Sequence, residues 1–370
     1  MTTAQGSSMN EIGFVGRIPV RNLWLLMLYA SDLFQMGGIS RVAVEESPDE
    51  LPDLLAEILV NAVERRLRRQ LSFGYRRREA VLTRVRGRID LLTTERHQLL
   101  LHGKIACSFD ELTLDTPRNR FVCAVLRRIS AQVKRDKLAH RCRILANDMV
   151  RLGVTDAAPL RSRADMERFG RHDKDDLQMV AAAKLAFDLS LPSEDAGIHA
   201  LPLSARDEKW VRKLFEKAVG GFYDVVLSPE GWQVKCGKWM RWQAESQTDG
   251  MKALLPSMQT DIVLEHTRLC RRIVIDTKFN EIVTKGRNEK TTFRSAYLYQ
   301  MYAYLRSQES DCNALTEQAD GLLLHPSLGE QVDETVRIQG HNIRFATVDL
   351  LASTQRIRED LLRVVKQVEF

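Results

Sequence analysis

Residues 254–279 read Leu-Leu-Pro-Ser-Met-Gln-Thr-Asp-Ile-Val-Leu-Glu-His-Thr-Arg-Leu-Cys-Arg-Arg-Ile-Val-Ile-Asp-Thr-Lys-Phe and contain two short runs rich in Ile and Val. The runs are Thr260–Glu265 and Arg272–Phe279, and β-branched residues at this density are typical of strands. The link between them is short and polar, which predicts a β-hairpin. Asp261 opens the first run and Asp276 lies near the end of the second. Antiparallel pairing is therefore expected to place these two carboxylates side by side at one end of the hairpin.

The second run ends in the tripeptide Asp276-Thr277-Lys278. Side chains two positions apart on a strand share a face, so Asp276 and Lys278 are expected to point the same way. Two carboxylates and an ammonium group at one strand end suit a Mg²⁺-dependent phosphodiesterase, because Mg²⁺ binds through one or two carboxylates, waters and substrate phosphate. Lys278 would position the attacking water and offset negative charge on the phosphate. The alternative is a solvated turn, which is what most isolated Asp-x-Lys tripeptides are.

The composition fits a globular protein of more than one domain. The chain has 370 residues, of which 44% are hydrophobic and 28% charged, which is enough apolar material for sizeable cores. Its 55 Lys and Arg residues against 49 Asp and Glu give a net charge of +6. This excess is compatible with a nucleic-acid partner but does not require one. None of the six cysteines forms a Cys-x-x-Cys pair, and we interpret them as reduced thiols.

No targeting or membrane-spanning segment is predicted. Residues 1–10 lack the apolar core of a signal peptide. The apolar stretch 18–33 is interrupted by Arg21, Asn22 and Asp32 and is too short to cross a bilayer. We therefore expect a cytoplasmic protein with no membrane partner.

The order of helical and strand patterns predicts an α/β (α+β) fold in two domains. Residues 1–12 are predicted to be a disordered leader and 13–195 an N-terminal α+β domain. Residues 200–370 are predicted to form a C-terminal α/β sandwich. The segment 191–197 combines Pro, Ser and Gly and is the predicted linker. In the second domain a helix over 207–222 is predicted to end or kink at its paired glycines.

Two basic segments are candidates for contact with an anionic partner. The first is a strand-rich ribbon, 75–90, in which apolar residues alternate with Arg84, Arg86 and Arg88. The second is a glycine-interrupted segment, 284–294, which predicts a mobile loop. Its cations are Lys285, Arg287, Lys290 and Arg294. A solvated strand face and a solvated loop are the competing interpretations.

Several common catalytic signatures are missing. The sequence has no Gly-x₄-Gly-Lys-Ser/Thr, so it is not expected to hydrolyse a nucleotide through a P-loop. It also has no Gly-x-Ser-x-Gly and no His-Glu-x-x-His, which excludes the usual serine-hydrolase and zinc-protease motifs.

The hairpin resembles the core of PD-(D/E)xK nucleases, with Asp in place of the more usual Glu at position 276. Within that superfamily the chain resembles the McrC family, the nuclease subunits of McrBC modification-dependent restriction systems. The matching stretches come in the family's order. They are Ile18-Pro19-Val20-Arg21-Asn22; Gly87-Arg88-Ile89 with His102-Gly103-Lys104, Phe109-Asp110-Glu111, Asp115 and Asn119; Leu255-Pro256 through Thr260-Asp261-Ile262; and Ile275 through Phe279 with Tyr299-Gln300 and Tyr304.

The resemblance implies a C-terminal domain that cuts DNA, with Asp261 and Asp276 as ligands of Mg²⁺, or of Mn²⁺, and Lys278 at the reactive water. Glu216 lies where related nucleases often have an extra acid; simple burial or a surface ion pair is the alternative. Gln300 and Tyr304 resemble the Gln-x-x-x-Tyr helix of several such nucleases and are expected to line the DNA path. The cations of segment 284–294 are expected to contact DNA phosphates.

The resemblance also implies a partner, an AAA+ GTPase of the McrB type that reads methylated cytosine and alone handles GTP. The N-terminal domain would contact and stimulate it, with Arg84, Arg86 and Arg88 as the candidate contact. Two other functions remain open. One is a GTPase-activating adaptor whose nuclease site is inactive, and the other is a nuclease that works without a GTPase. Neither the recognised modification nor the stoichiometry can be predicted from the sequence.

Overall fold

The computed structural model describes residues 18–36, 51–155, 173–195, 205–280, 282–285, 291–309 and 314–366. The helices in these ranges are α1 Val20–Tyr29, α2 Asp32–Gln35, α3 Leu51–Arg69, α4 Leu91–Arg96, α5 Pro117–Ile129, α6 Asp136–Arg151, α7 Lys174–Asp195, α8 Ala205–Leu227, α9 Met251–Leu254, α10 Ser295–Arg306, α11 Ala314–Glu317 and α12 Thr354–Val364. The strands are β1 Gly74–Leu82, β2 Arg88–Ile89, β3 Ile105–Thr113, β4 Gln233–Cys236, β5 Trp239–Met240, β6 Met258–Gln259, β7 Ile262–His266, β8 Arg271–Thr277, β9 Val283–Lys285, β10 Thr291–Phe293, β11 Asp320–Ser327, β12 Asp333–Ile338 and β13 His341–Asp349. The predicted α/β (α+β) class is confirmed.

Contacts divide the chain into two compact units. One is formed by residues 52–190, and the other contains the remaining described residues. The second unit includes α1, because the Asn22 side-chain amide donates to the carbonyls of Leu350 at 2.7 Å and Ala352 at 3.0 Å. This division differs from the predicted first domain, 13–195, in which residues 18–36 were placed on the N-terminal side.

The unit of residues 52–190 has a small antiparallel sheet in the order β1-β3-β2. Helix α5 begins with Thr116 as its N-cap and Pro117 in the first turn, both of which favour a helix start. The acidic side chain of Asp176 is buried, and Arg66 at 2.7 Å and Arg118 at 2.9 Å neutralise it. These pairs connect three helices around the core of this unit.

The predicted basic ribbon 75–90 is not one continuous strand. Strand β1 ends at Leu82 and β2 begins at Arg88. Gly87 lies between them with φ +69°, and a Cβ there would be 2.6 Å from the Ser108 carbonyl oxygen. The close approach and the positive φ both require glycine, so the chain turns where alternation alone predicts extension.

The predicted linker is also wrong in its first part. Helix α7 continues to Asp195, through most of the segment 191–197, and residues 196 and 197 lie outside the described ranges. The apolar run of α7 is buried at Met179, Ala186 and Leu189. Extending a formed helix is much easier than starting one, so turn-type residues at its end do not stop it.

The other unit is organised around a six-stranded sheet in the order β12-β13-β11-β8-β7-β4. Strand β11 runs parallel to β8 and β13, and the other neighbours are antiparallel. Helix α10 packs on β8, β11 and β13, and α12 packs on β13. The apolar cluster under α10 contains Val263, Val274, Met301 and Leu323. Buried Ile and Val of the central strands therefore hold the strand ends in fixed positions.

The paired glycines do not end the helix that was predicted over 207–222, because α8 runs to Leu227. A Cβ on Gly221 would lie 2.0 Å from the Tyr29 carbonyl oxygen, and one on Gly220 would lie 2.6 Å from Cys236 Sγ. The glycines thus allow α1 and β4 to approach the backbone of α8 closely. In the described ranges, no helix combines the length and apolar character needed to cross a membrane.

Candidate active site

Strand pairing brings the two predicted carboxylates together. In the β7–β8 pair, Ile262 lies opposite Ile275, so the preceding Asp261 comes next to Asp276. The predicted hairpin is confirmed. Strand β7 begins two residues after the first run begins and ends one residue beyond it, and β8 begins one residue before the second run and ends two residues before its end. The three pairs nearest this end, Ile262–Ile275, Val263–Val274 and Leu264–Ile273, are all apolar and buried.

Asp261 is held in place by the second strand. Its Oδ2 accepts hydrogen bonds from the backbone N and the hydroxyl of Thr277, both at 2.7 Å. These two donors orient the carboxylate toward the end of β8. Thr277 is a residue whose role the sequence did not indicate, although it lies inside the Asp276-Thr277-Lys278 tripeptide.

Asp276 is buried, with 3% of its surface exposed, and its Oδ2 is 2.6 Å from Nζ of Lys278. The two side chains therefore share a face, as their spacing on the strand predicts. Burial raises the pKa of Asp276 to about 6; the Lys278 ammonium lowers it and the Asp261 carboxylate raises it. Because burial outweighs the ion pair, this carboxylate is destabilised as an anion.

Lys278 is bound on a second side by helix α10. Its Nζ donates to Gln300 Oε1 at 2.9 Å, and the Gln300 amide donates to the Tyr304 hydroxyl at 2.7 Å. The Tyr304 hydroxyl in turn donates to the Gln259 carbonyl at 2.9 Å. Gln300 and Tyr304 are four residues apart, so one helical turn places them on the same face. The result is a continuous chain of hydrogen bonds from the core to the ammonium group.

Tyr304 is predicted to contact DNA, and its position is informative. Its ring is 6% exposed, and burial raises the pKa of its hydroxyl, with Asp276 adding to the shift. In this structure the hydroxyl is bonded to Gln300 and Gln259. The Tyr304 hydroxyl therefore helps to position Gln300. Contact between Tyr304 and DNA stays a prediction.

Glu216 of α8 faces the same end of the sheet. It is half-buried, and its pKa is raised first by burial and then by the Asp261 carboxylate. Arg212, one turn earlier on α8, lowers the pKa of Asp276. The sequence left burial, an ion pair and a site acid open for Glu216. Its electrostatic coupling to Asp261 places it near the site, and its chemical role stays a prediction.

The residues present fit a hydrated Mg²⁺ ion. Within the described ranges, no three His, Cys, Asp or Glu side chains lie close enough together to hold a metal. Mg²⁺ keeps several waters and commonly takes one or two carboxylates, which Asp261 and Asp276 can supply. The raised pKa of Asp276 reflects burial and a neighbouring negative charge, and a bound cation relieves both effects.

Much of the predicted phosphate-contacting segment 284–294 lies outside the described ranges, including Arg287 and Lys290. Its ends are not loop, because β9 and β10 pair antiparallel with Lys285 opposite Thr291. Arg294 is exposed, and its guanidinium lies 6.0 Å from the centre of the Tyr297 ring.

The predicted partner-contacting arginines are exposed in the unit of residues 52–190. Arg84 lies in the bend between β1 and β2, and Arg88 lies in β2 opposite Ser108. The Arg86 guanidinium lies 4.1 Å from the centre of the Phe109 ring. Arg78 of β1 is also exposed but is paired with Glu111 at 2.9 Å.

Two solved structures are similar to this chain. One is a refined half-complex from a tetradecameric assembly of Thermococcus gammatolerans McrB AAA+ hexamers with bound McrC, at 14% identity and TM-score 0.42 over 94% of this chain and 76% of that one. The other is the Thermococcus gammatolerans McrBC complex, at 14% identity and TM-score 0.33 over 49% of this chain and 60% of that one. Both TM-scores are low, so the likeness in structure is slight.

The sequence likeness is more extensive. The type IV methyl-directed restriction enzyme EcoKMcrBC of Escherichia coli (strain K12) is 27% identical over 350 residues, which cover 94% of this chain and 97% of that protein. The family model described as McrBC 5-methylcytosine restriction system component matches residues 3–175 and 208–326. The match includes both units and Asp261, Asp276 and Lys278. The chain therefore belongs to the family of McrBC 5-methylcytosine restriction system components.

Proposed function

We propose that this chain is the DNA endonuclease subunit of an McrBC-like restriction complex. The proposal includes metal-dependent hydrolysis of a phosphodiester bond at a PD-(D/E)xK-like site, in methylated double-stranded DNA and in the cytoplasm. It also includes stimulation of a partner AAA+ GTPase of the McrB type, which alone hydrolyses GTP. Membership in the restriction-system family supports this reading.

The observation that carries the proposal is the position of the Lys278 ammonium group. It lies 2.6 Å from an Asp276 oxygen and 2.9 Å from the Gln300 side-chain oxygen, beside a second carboxylate, Asp261. A solvated turn, the ordinary alternative for Asp-x-Lys, leaves its side chains in water, whereas Lys278 is 8% exposed and Asp276 is 3% exposed. Burying both charged groups is costly. A cost of this kind is typical of sites built for chemistry.

The chain's own residues suit phosphodiester hydrolysis. Asp261 and Asp276 supply the carboxylates for Mg²⁺ or Mn²⁺, which when bound lowers the pKa of water and neutralises phosphate charge. Lys278 orients the attacking water and donates to the phosphoryl oxygen as its negative charge grows. The water oxygen bonds to phosphorus with loss of its proton to solvent. One phosphorus–oxygen ester bond breaks, and the leaving oxygen takes up a proton.

The unit of residues 52–190 supplies the proposed contact with the partner. Arg84 and Arg88 are exposed on it, and two short neighbouring helices, α4 and residues 99–102, carry exposed leucines. These leucines are Leu91, Leu92, Leu100 and Leu101, with exposed fractions of 65%, 82%, 66% and 78%. Apolar side chains exposed as a group are typical of surfaces that bind another protein. Together with the arginines they support a protein contact rather than a bare anion-binding face.

The test is cleavage of methylated and unmethylated plasmid by the purified full-length chain, with and without GTP and the partner AAA+ GTPase of the McrB type. We expect cutting only with methylation, partner and GTP together. Lys278→Ala should abolish cutting and leave stimulation of GTP turnover intact. The matched control is Lys235→Ala, since Lys235 is paired with Glu265 on the same sheet and lies outside the site.

Two results would contradict the proposal in different ways. Cutting that is independent of GTP and of the partner would establish a nuclease that works alone. Stimulated GTP turnover with no cutting by the unmodified chain would establish an adaptor with an inactive nuclease site. The hydrogen bonds that already occupy Asp261 and Lys278 are the observation that keeps the adaptor as the second candidate.

A further inference from the structure

Strand β11 passes directly beside the end of β8 and brings a histidine to the site. Leu324 is opposite Thr277, and the backbone N of Lys278 donates to the Leu324 carbonyl at 2.9 Å. The next residue, His325, therefore lies level with Lys278. Its side chain is completely buried in a strand whose other central residues are leucines.

His325 is a hydrogen-bond donor and not a charge. Its Nδ1 lies 3.0 Å from the Asn280 carbonyl oxygen. A carbonyl only accepts, so Nδ1 carries the proton. Burial lowers the pKa of His325 to about 4, which keeps the ring neutral at physiological pH. Its Nε2 is buried and has no hydrogen-bond partner within the described ranges, a cost that simple packing does not require.

Asn280 transmits this contact to Tyr297 on α10. The Asn280 side-chain amide donates to the Tyr297 hydroxyl at 2.5 Å. The centre of the Tyr297 ring is 4.9 Å from Nζ of Lys278 and 5.9 Å from the centre of the His325 ring. A cation at this distance from an aromatic ring is attracted to its face. The ring is therefore held at its hydroxyl end and contacts the ammonium group with its π system.

We propose that His325, Asn280 and Tyr297 form a brace that positions the Lys278 ammonium group between the Tyr297 ring, Asp276 and Gln300. The brace rests on the proposed function of Lys278 in phosphodiester hydrolysis. Asp276 and Gln300 hold the ammonium group by polar contacts at 2.6 and 2.9 Å, and the Tyr297 ring adds a third contact at 4.9 Å. In this proposal the three brace residues act through Lys278, so they are positioning residues.

A matched pair of substitutions at Tyr297 separates the ring face from the hydroxyl. Tyr297→Leu removes both, whereas Tyr297→Phe keeps the ring and loses only the bond with Asn280. In single-turnover cleavage by the full chain with its partner, we expect about a 30-fold loss of rate for Tyr297→Leu, since small misplacements of reacting groups cost up to about 100-fold. Tyr297→Phe and Asn280→Ala should each lose about 3- to 5-fold. DNA affinity should stay within 2-fold, because the brace does not bind DNA.

A spectroscopic signature tests the geometry without any cleavage. In the chain labelled with ¹³C at lysine Cε, the Lys278 protons should be shifted upfield by the Tyr297 ring current. The resonance is assigned by its loss in Lys278→Ala. The upfield shift should persist in Tyr297→Phe and vanish in Tyr297→Leu. Phe293→Leu is the control, since Phe293 stacks on Phe345 with centroids 4.2 Å apart and lies outside the brace; it should leave the shift unchanged.

The two assays distinguish failure of the brace from failure of the proposed function. A Lys278 resonance at the position of an exposed lysine in the unmodified chain would overturn the brace. The brace would also be overturned if Tyr297→Leu left both the Lys278 chemical shift and the single-turnover cleavage rate unchanged. An upfield resonance that moves in Tyr297→Leu but not in Tyr297→Phe, in a chain that cuts no DNA, would support the brace and reject the nuclease.

Discussion

Two charged residues at the end of the β7–β8 hairpin are buried, whereas Arg84 and Arg88 of the β1–β2 region are exposed. At the hairpin, Asp276 and Lys278 are buried, and partners on other elements hold them. Arg84, in the bend after β1, and Arg88, in β2, are exposed to solvent. We infer that the side chains at the hairpin end are held in position before any ligand binds. The exposed arginine side chains are expected to become ordered only when a partner binds.

The two regions should therefore differ in how mutations act. A buried charge that loses its partner leaves the partner destabilised, and the effect is large. An exposed cation contributes little to folding, so its removal should be felt only in the complex. The predictions below test this contrast, beginning with the largest expected effect.

Asp276→Asn removes a proposed metal ligand with little change in shape. We expect cleavage to fall about 1000-fold, because removal of one preorganised charged or donor group at a reacting centre has effects of this order. Stimulation of the partner's GTP turnover should be unchanged. The measurement is single-turnover cleavage beside GTP hydrolysis with the same protein preparation.

Asp224→Asn is the matched control for that variant. It makes the same chemical change on α8, where Asp224 accepts a hydrogen bond from Ser228. It should cut DNA normally. Equal loss in both variants would mean that Asp276 matters for folding and not for the reaction.

The pKa of Asp276 predicts an effect on stability in metal-free protein. The pKa is raised from 3.8 to about 6 in the folded chain, so between these values the native state binds more protons than the unfolded state. The contribution to stability is full below about pH 4 and is lost as pH rises through about 6, by roughly 2–3 kcal/mol. Urea unfolding with a chelator at low and neutral pH measures it. Asp276→Asn should lose this part of the pH dependence. An unchanged pH dependence in the variant would show that the Asp276 carboxyl group is not its source.

The hairpin was predictable because its determinants are local. The Ile- and Val-rich runs and the short link between them predict the hairpin, which sets Asp261 beside Asp276. The two-residue spacing on the strand sets Lys278 on the same side as Asp276. The four-residue spacing of Gln300 and Tyr304 likewise places both on one face of a helix. Wherever short-range periodicity decides the geometry, the sequence is sufficient.

The failures come from contacts between distant parts of the chain. Gly220 and Gly221 have the composition of a helix end, yet they lie inside α8 because Cys236 and the backbone at Tyr29 approach them. His325 has no motif around it, and only the parallel pairing of β11 with β8 brings it to Lys278. No spacing rule connects residues that are almost 50 positions apart.

Gln300 and Tyr304 give an effect of intermediate size. Gln300→Ala removes the acceptor of the Lys278 ammonium group, and we expect about a 20-fold loss of cleavage. Tyr304→Phe removes only the hydroxyl that holds Gln300 and should cost about 3-fold. Single-turnover rates at saturating DNA measure both.

The same pair tests the predicted contact between Tyr304 and DNA. If Tyr304 acts only through Gln300, Tyr304→Phe has no further effect in a Gln300→Ala background. If it binds DNA directly, the variant weakens DNA affinity and leaves the saturated rate unchanged. A larger loss for Tyr304→Phe than for Gln300→Ala would contradict the hydrogen-bond chain as the route to Lys278.

The exposed arginines should affect only stimulation of the partner. Replacing Arg84 and Arg88 together by Ala should lower stimulation of the partner's GTP turnover about 5-fold, since exposed charges at an interface govern association more than affinity. Thermal stability of the chain alone should not change, because exposed ion contacts contribute little. Arg78→Ala is the control, since Arg78 already pairs with Glu111 within its own sheet. If Arg78→Ala lowers stimulation as much as the double variant, the partner responds to the total positive charge of the sheet and not to Arg84 and Arg88 in particular. If neither variant lowers it, the exposed leucines of α4 and residues 99–102 carry the contact, and the arginines are a solvated face.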